Sequence, residues 1–265
     1  MKENEIETKT RLMEFSAALE FRYGSGEISS FLYAIIKMHR PRVIVELGTG
    51  YGVSTFWMAQ ALKENGLGHI WSVDNLKNLT KSFEESDSEV VGLKKTSMSH
   101  LTRIAPSKFY KSASDVLGLT KYISFLKGNI HLKEPHSFLS FPFSSKKVDL
   151  LFSDVSHEPD DILGVLAFFL PRMSIVSSIF IDSASTCWPS YFCLENVVAM
   201  LNSGSIPSTL EERLTSKQKS QILSRKYSLI HLTYKGNGAT QNSTAWIKIE
   251  PKDARPYPVV EMWQS

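Results

Sequence analysis

The chain has 265 residues, of which 42% are hydrophobic and 22% charged, so it can form one well-packed α/β domain with insertions. The formal net charge is only +3, whereas dedicated nucleic-acid-binding proteins carry a strong basic excess, so we expect no nucleic-acid partner. Cys187 and Cys193 are too few for a disulfide framework. With no signal-peptide pattern and no apolar run of about 18 residues, we expect a cytoplasmic protein without a membrane partner. A homo-oligomer remains open.

The predicted elements begin with two helices, over residues 5–22 and 28–39. The second helix ends at Arg40-Pro41, because the residue before a proline is pushed out of the α region. Short apolar runs then alternate with helical spacing. Five of these runs are predicted to be parallel strands: 43–45, 69–73, 122–126, 148–153 and 175–181. Helices are predicted over 53–63 and 160–170.

Two further strands are predicted near the end of the chain, over 227–234 and 244–249. Their connection is too short for a crossover helix, so they should pair antiparallel. The alternation predicts an α/β fold: a doubly wound, mostly parallel seven-stranded sheet with a terminal antiparallel strand and helical insertions. We divide the chain into an N-terminal helical segment, 1–40, and a Rossmann-like domain, 41–265.

Two long insertions, 76–118 and 184–225, interrupt the alternation. Both follow the carboxyl ends of predicted strands, where ligands bind in open α/β sheets. We therefore expect a lid and a substrate wall, although peripheral helices without ligand contact would also fit the pattern.

A glycine-rich turn, with Gly48, Gly50 and Gly52, separates the first strand from the next helix. Such a turn lets the backbone approach a ligand closely. A dinucleotide fingerprint would place its third glycine at Val53, and no Lys-Ser or Lys-Thr pair follows as in a P-loop. The spacing therefore argues against both NAD and a P-loop nucleotide.

Two acidic residues flank this turn in the predicted sheet. Glu46 lies directly before the glycines, where it suits a ligand that carries an ammonium group. Asp74 ends the second strand, where a carboxylate can accept both hydroxyls of a ribose. S-adenosylmethionine has an amino acid, a sulfonium and a ribose, so it matches this pair better than NAD does.

Residues 43–55, VIVELGTGYGVST, resemble motif I of the class I S-adenosylmethionine-dependent methyltransferases, with Asp74 as the acidic residue of motif II. Residues 148–157, VDLLFSDVSH, with the following helix and the run Ile-Phe-Ile-Asp182, are similar to the small-molecule O-methyltransferase branch. The likeness covers roughly residues 28–183 and implies that 41–265 form a methyltransferase domain.

The resemblance implies a cofactor site around the glycine turn. Glu46, Gly48 and Gly50 are expected against the methionine part of the cofactor. Ser54 is expected near its carboxylate. Asp74 is expected to hold the ribose.

The resemblance also places residues further along the chain in the site. Asn129 is expected beside the adenine, and Asp154 is expected to face both the cofactor and the methyl-transfer reaction. His157 is the best general base in the chain, the alternative being a capping histidine. Metal-dependent relatives use Asp154 together with an acidic pair, or an acid plus Asn, at the next strand. Here that position reads Asp182-Ser183, with serine in place of the expected second ligand. We therefore expect chemistry that needs no metal or depends only weakly on Mg²⁺ bound by Asp154 and Asp182.

The sequence thus predicts methyl transfer to a hydroxyl of a small metabolite, such as a sugar or a natural-product intermediate. Two alternatives stay open: a protein or nucleic-acid acceptor, and a catalytically silent cofactor-binding subunit. Amino-directed nucleic-acid enzymes carry prolines after the fourth strand, which the run Asp154-Val-Ser-His157 lacks. Trp188, Tyr191 and Phe192 could line the acceptor pocket, although aromatic residues are more often simply buried.

Overall fold

The computed structural model of the chain describes residues 3–23, 26–85, 92–184, 188–233 and 243–253. Some residues named above lie outside these ranges: Cys187, part of each insertion, and the last residue of the predicted strand 227–234.

The strands form one seven-stranded sheet, as predicted. In chain order they are β1 Val43–Leu47, β2 His69–Asp74, β3 Ile123–Lys127, β4 Val148–Ser153, β5 Met173–Asp182, β6 Arg225–Thr233 and β7 Ser243–Pro251. Their spatial order is β3-β2-β1-β4-β5-β7-β6. The first five strands are parallel, and β7 pairs antiparallel with both β5 and β6. The predicted fold class and the antiparallel pairing of the last two strands are confirmed.

The helices follow the predicted alternation and also occupy both insertions. Within the described ranges they are α1 Glu3–Tyr23, α2 Gly26–His39, α3 Val53–Asn65, α4 Lys77–Glu85, α5 Pro106–Val116, α6 Pro159–Phe169, α7 Trp188–Asn202, α8 Ser208–Glu211 and α9 Ser216–Leu223. A 3₁₀ turn, Leu170–Arg172, connects α6 to β5. Over the described part of the chain, no helix combines the length and apolarity needed to cross a bilayer.

The sheet is covered on both faces, because side chains along each strand alternate between two apolar cores. In β4, Leu151 belongs to the core under α6 and α7, whereas Leu150 and Phe152 belong to the core under α1, α2 and α3. Helix α1 enters the second core through Leu12, Phe15 and Leu19, which recur on one helical face.

The strand order reverses between β1 and β4, which lie side by side in the centre of the sheet. At such a switch point the loops after the two strands diverge to opposite faces and leave a crevice at the carboxyl ends. At the amino-terminal edge, the Asp149 carboxylate accepts the backbone N–H groups of Arg42 and Val43 at 2.8 and 2.9 Å, and so fixes β4 against β1.

Candidate active site

A cavity of about 250 Å³ occupies the crevice at the carboxyl ends of β1, β2 and β4. Its walls are the glycine turn after β1, the segment that begins at Asp74 after β2, and the segment from Asp154 to His157 after β4. Leu19 of α1 and Leu79 of α4 add apolar surface. The first insertion therefore contributes to the cavity wall, as does the N-terminal helix.

The glycine turn depends on backbone conformations that side chains disfavour. Gly48, Gly50 and Gly52 have φ angles of 87°, 54° and 86°, a region that glycine enters without steric cost. A Cβ atom at Gly48 would lie 2.3 Å from the carbonyl oxygen of Asp154, whereas a Cβ at Gly50 would meet nothing within 4 Å. Packing therefore requires glycine at position 48, whereas the space beside Gly50 is open.

The Asp74 carboxylate lines the cavity and holds the glycine turn. Its Oδ2 accepts the backbone N–H groups of Thr49 at 2.9 Å and Gly50 at 3.2 Å. Its Oδ1 accepts the N–H of Leu76 at 2.6 Å. A carboxylate offers about four acceptor positions, so roughly one remains for a ligand. Asp74 therefore holds the turn in place, in addition to any hydrogen bond that it accepts from a ribose hydroxyl. The sequence pattern did not indicate this structural role.

Glu46 lies behind the turn, fully buried and outside the cavity lining. Its carboxylate accepts the hydroxyls of Ser54 at 2.6 Å, Ser72 at 2.5 Å and Thr55. Burial raises the pKa of Glu46 to about 7, although the three hydroxyl donors act in the opposite direction. Ser54 lines the cavity, but its hydroxyl is directed to Glu46. The expected contact of Glu46 with the cofactor stays a prediction.

The buried carboxyl group of Glu46 should make folding stability depend on pH. Because its folded-state pKa of about 7 lies above the ordinary 4.5, the folded protein binds this proton more tightly than the unfolded chain does. The contribution is complete below about pH 4.5 and is lost as the pH rises through about 7, which amounts to roughly 3 kcal/mol. The unfolding free energy, measured with urea, should decline over this pH range in the wild type. In Glu46→Gln, whose side chain cannot ionise, most of that decline should be absent.

Glu212→Gln, an exchange at an exposed position, is the matched control for this experiment and should keep the wild-type dependence on pH. A Glu46→Gln protein whose unfolding free energy declines between about pH 5 and pH 8 as steeply as that of the wild type would contradict the assignment.

Asp154 and Asp182 are brought together at the ends of the neighbouring strands β4 and β5. Burial, and then the charge of Asp182, raise the pKa of Asp154 well above its usual range. Asp182 is only 4% exposed, and burial raises its pKa despite hydrogen bonds from Thr244 at 2.6 Å and Ser183 at 3.2 Å.

This pair fits a metal poorly. Asp182 accepts the hydroxyls of Thr244 and Ser183. Ser183 stands where a second ligand was expected, so this strand end offers one carboxylate instead of two ligand side chains. Among the residues that the structure describes, no group of three or more His, Cys, Asp or Glu side chains is arranged to hold a metal ion. We therefore derive no catalytic step through Mg²⁺.

His157 lines the cavity beside Asp154. Its Nδ1 lies 3.1 Å from the carbonyl oxygen of Asp182. Since a carbonyl can only accept, Nδ1 carries the hydrogen in this bond and Nε2 of the neutral ring keeps a lone pair. The hydroxyl of Ser190 donates to the carbonyl oxygen of His157 and joins α7 to this segment. The ring is thus oriented by the protein and free to accept a proton at Nε2.

Tyr110 of α5 is a site residue that the sequence reasoning missed. Its hydroxyl donates to the carbonyl oxygen of Gly50 at 2.6 Å, and its ring stacks on Phe125 with centroids 4.7 Å apart. No spacing in the sequence connects Tyr110 to the glycine turn, because the contact spans 60 positions. Leu19 could have been suspected only from the apolar face of α1.

Other predicted site residues lie away from the cavity. Asn129 is exposed and does not contribute to the lining, so its place beside an adenine stays a prediction. Trp188 and Phe192 are 60% and 64% exposed, whereas the Tyr191 ring lies 4.4 Å from that of His231. The described residues of the second insertion do not line the cavity.

Comparisons with known proteins agree with this geometry. Residues 45–184 match the model of a family described as a methyltransferase domain. A search among curated proteins found no match. A solved structure of a candidate O-methyltransferase from Klebsiella pneumoniae has a TM-score of 0.50 at 13% identity, covering 94% of this chain and 91% of that one. A cofactor-bound protein from MTB has a TM-score of 0.52 at 12% identity, with 92% and 89% covered. At these identities the likeness shows a shared fold.

The family match covers more than half of the 265 residues and includes the glycine turn, Asp74, Asp154, His157 and Asp182. It confirms the resemblance to the class I, Rossmann-like methyltransferases that depend on S-adenosylmethionine. The chain belongs to the methyltransferase domain family.

Proposed function

We propose that this methyltransferase transfers the methyl group of S-adenosylmethionine to a hydroxyl of a small metabolite, of the sugar or natural-product type. One observation carries the proposal: a single cavity is lined by the glycine turn, by Asp74, and by the segment with Asp154 and His157. A methyl donor and an acceptor must meet in one enclosed space, because the reacting atoms have to be in line.

The chain's own residues would hold the donor at the glycine turn. The open side of Gly50 allows close approach of the ligand to the backbone, and the remaining acceptor position of Asp74 suits one ribose hydroxyl. Leu19 of α1 and Leu79 of α4 would cover the ligand with apolar surface. The bound cofactor would supply an electrophilic methyl group on its sulfonium.

His157 is the residue that we assign to proton removal from the acceptor. Its Nδ1 is held by the Asp182 carbonyl oxygen, so Nε2 is the atom that accepts the hydroxyl proton. Asp154, at the tip of β4, would orient the acceptor by hydrogen bonding. We favour this base over a metal because Ser183 stands in place of the expected second ligand and donates its hydroxyl to Asp182.

Methyl transfer to an oxygen is supported by His157, since a hydroxyl has a proton to lose before or during transfer. It is also supported by the structural neighbour from Klebsiella pneumoniae, which is described as a candidate O-methyltransferase.

Binding of S-adenosylhomocysteine without binding of NAD is the first expected result. Isothermal titration calorimetry of the purified protein should give a Kd in the micromolar range for S-adenosylhomocysteine and no saturable heat with NAD. Hydroxylated metabolites can then be screened for formation of S-adenosylhomocysteine from S-adenosylmethionine. Failure of the folded protein to bind S-adenosylhomocysteine at millimolar concentration would contradict the proposed cofactor. Binding without turnover on any acceptor would favour the cofactor-binding subunit instead.

A further inference from the structure

Five cationic side chains gather at the amino-terminal edge of the sheet, opposite to the cavity described above. They are Lys146, Lys147, Arg172, Lys217 and Arg225, and we call them the basic cluster. Lys147 directly precedes β4, and Arg172 directly precedes β5. Because a strand rises about 3.3 Å per residue, the six residues of β4 separate this cluster from Asp154 by roughly 20 Å.

Two members of the basic cluster are held rigidly by backbone carbonyls. Arg172 donates through Nε to Ser144 at 2.9 Å and through a terminal nitrogen to Phe168 at 2.8 Å, and its guanidinium lies 3.8 Å from the centre of the Phe168 ring. Lys147 donates to the carbonyl of Pro171 at 3.0 Å. Cations commonly satisfy the last carbonyls of a helix in this way. This role fixes the side chains but does not neutralise their charge.

Arg225 extends the cluster into the protein interior. It is 4% exposed and donates to the carbonyl oxygens of Leu170 and Met173 at 2.9 and 2.8 Å. These oxygens belong to neutral groups and do not compensate the guanidinium charge. The charge therefore adds to the positive potential around Lys147.

Among the described residues, no carboxylate forms an ion pair with the basic cluster. None of the ion pairs found between described residues includes any of the five cations. Partial burial and the charges of Arg225, Arg172 and Lys217 lower the pKa of Lys147. Like charges at short range repel one another, so the fold maintains a local excess of positive charge that a bound anion would relieve.

A recess of about 290 Å³ opens between these cations and α9. Four of the five cations line it, together with the neutral side chains of Gln218 and Gln221. The Oε1 atom of Gln218 accepts the backbone N–H of Thr215 at 2.8 Å and its hydroxyl at 3.0 Å. The Gln218 amide nitrogen is therefore the part that is left to donate to a ligand.

We propose that the basic cluster binds a small phosphorylated anion with two or more negative charges. Residues with guanidinium, ammonium and amide N–H groups line one recess, and these groups are donors that phosphate oxygens accept strongly. A monovalent carboxylate would offset only one of the charges. A nucleic acid would need a continuous basic stripe, whereas this cluster is compact. The site is independent of the cofactor cavity and of the proposed reaction.

The proposal can be tested by calorimetry with inorganic phosphate, pyrophosphate and glycerol 3-phosphate at constant ionic strength. Pyrophosphate should bind with a Kd of about a millimolar or lower, and the double variant Lys146→Gln/Lys217→Gln should weaken it by roughly tenfold. Both lysines are exposed, and the ammonium of Lys146 lies 5.3 Å from the centre of the Trp71 ring, a contact that contributes little at an exposed site. The double variant should therefore unfold within a few degrees of the wild-type temperature. The comparison with glycerol 3-phosphate distinguishes a free anion from an esterified one.

Lys108→Gln, an exposed position on α5 outside the basic cluster, is the matched control and should bind pyrophosphate as the wild type does. Three results would overturn the proposal: no saturable binding by the wild type, unchanged binding by the double variant, or equal weakening by the control. A double variant that has lost its fold is replaced by Lys217→Gln alone, for which about a threefold loss is expected.

Discussion

Replacement of His157 by alanine is expected to lower turnover by about a hundredfold or more while S-adenosylhomocysteine affinity changes by less than about twofold. The reason is that the ring lies on the β4 side of the cavity, apart from the glycine turn that would hold the donor. A loss in kcat at unchanged ligand affinity is the signature of a group that acts on the acceptor. The measurement is steady-state kinetics with calorimetry on the same preparations.

His131→Ala is the control for this experiment, because His131 is exposed and lies outside the cavity lining. It should retain wild-type turnover. A His157→Ala enzyme that remains active, but loses activity with a chelator and regains it with Mg²⁺, would contradict base catalysis and favour a metal bound by Asp154 and Asp182. An active variant that ignores the chelator would leave positioning as the source of the rate.

Replacement of Asp74 by alanine is expected to weaken S-adenosylhomocysteine binding by about 30- to 150-fold, or roughly 2–3 kcal/mol. The carboxylate organises the ligand site twice over: it accepts the N–H groups of Thr49, Gly50 and Leu76, and it retains an acceptor position for the ligand. Its removal leaves those amides without their partner and loosens the turn. Calorimetry of the variant measures the loss.

Thermal unfolding must accompany the Asp74 experiment, since the same hydrogen bonds support the fold locally. Asp160→Ala is the matched exchange at an exposed aspartate, with a side chain that is 71% exposed, and should leave affinity unchanged. A folded Asp74→Ala protein with wild-type affinity would mean that the ligand contacts neither the carboxylate nor the turn that it holds.

The sheet and most helices could be predicted from the sequence because their signals are local. Short apolar runs such as 148–153 indicate buried parallel strands, and Arg40-Pro41 marks the end of a helix by steric exclusion. The glycine turn could also be predicted, since glycines at three alternating positions favour the positive φ angles that the turn adopts.

The arrangement of the site could be predicted only in part, because several of its contacts join residues that are distant in the chain. Glu46 was expected beside a ligand, yet three hydroxyls enclose it, and two of these follow it by eight and nine positions on α3. The partnership between Tyr110 and Gly50 depends on how α5 packs against the sheet. Periodicity and spacing carry no information about such packing.

Gly48 packs directly against the carbonyl group of Asp154. The glycine turn and the segment after β4, which form two walls of the cavity, are therefore in contact through backbone atoms. The N–H of Asp154 also donates to the Leu47 carbonyl at 2.8 Å, so packing and a backbone hydrogen bond hold the turn against the segment that carries His157. A ligand that moved the turn would therefore also move the segment that carries His157, and a coupling of affinities that arose in this way would be reciprocal. A side chain at Gly48 would force the turn and this segment apart, because its Cβ atom would lie 2.3 Å from the carbonyl oxygen of Asp154.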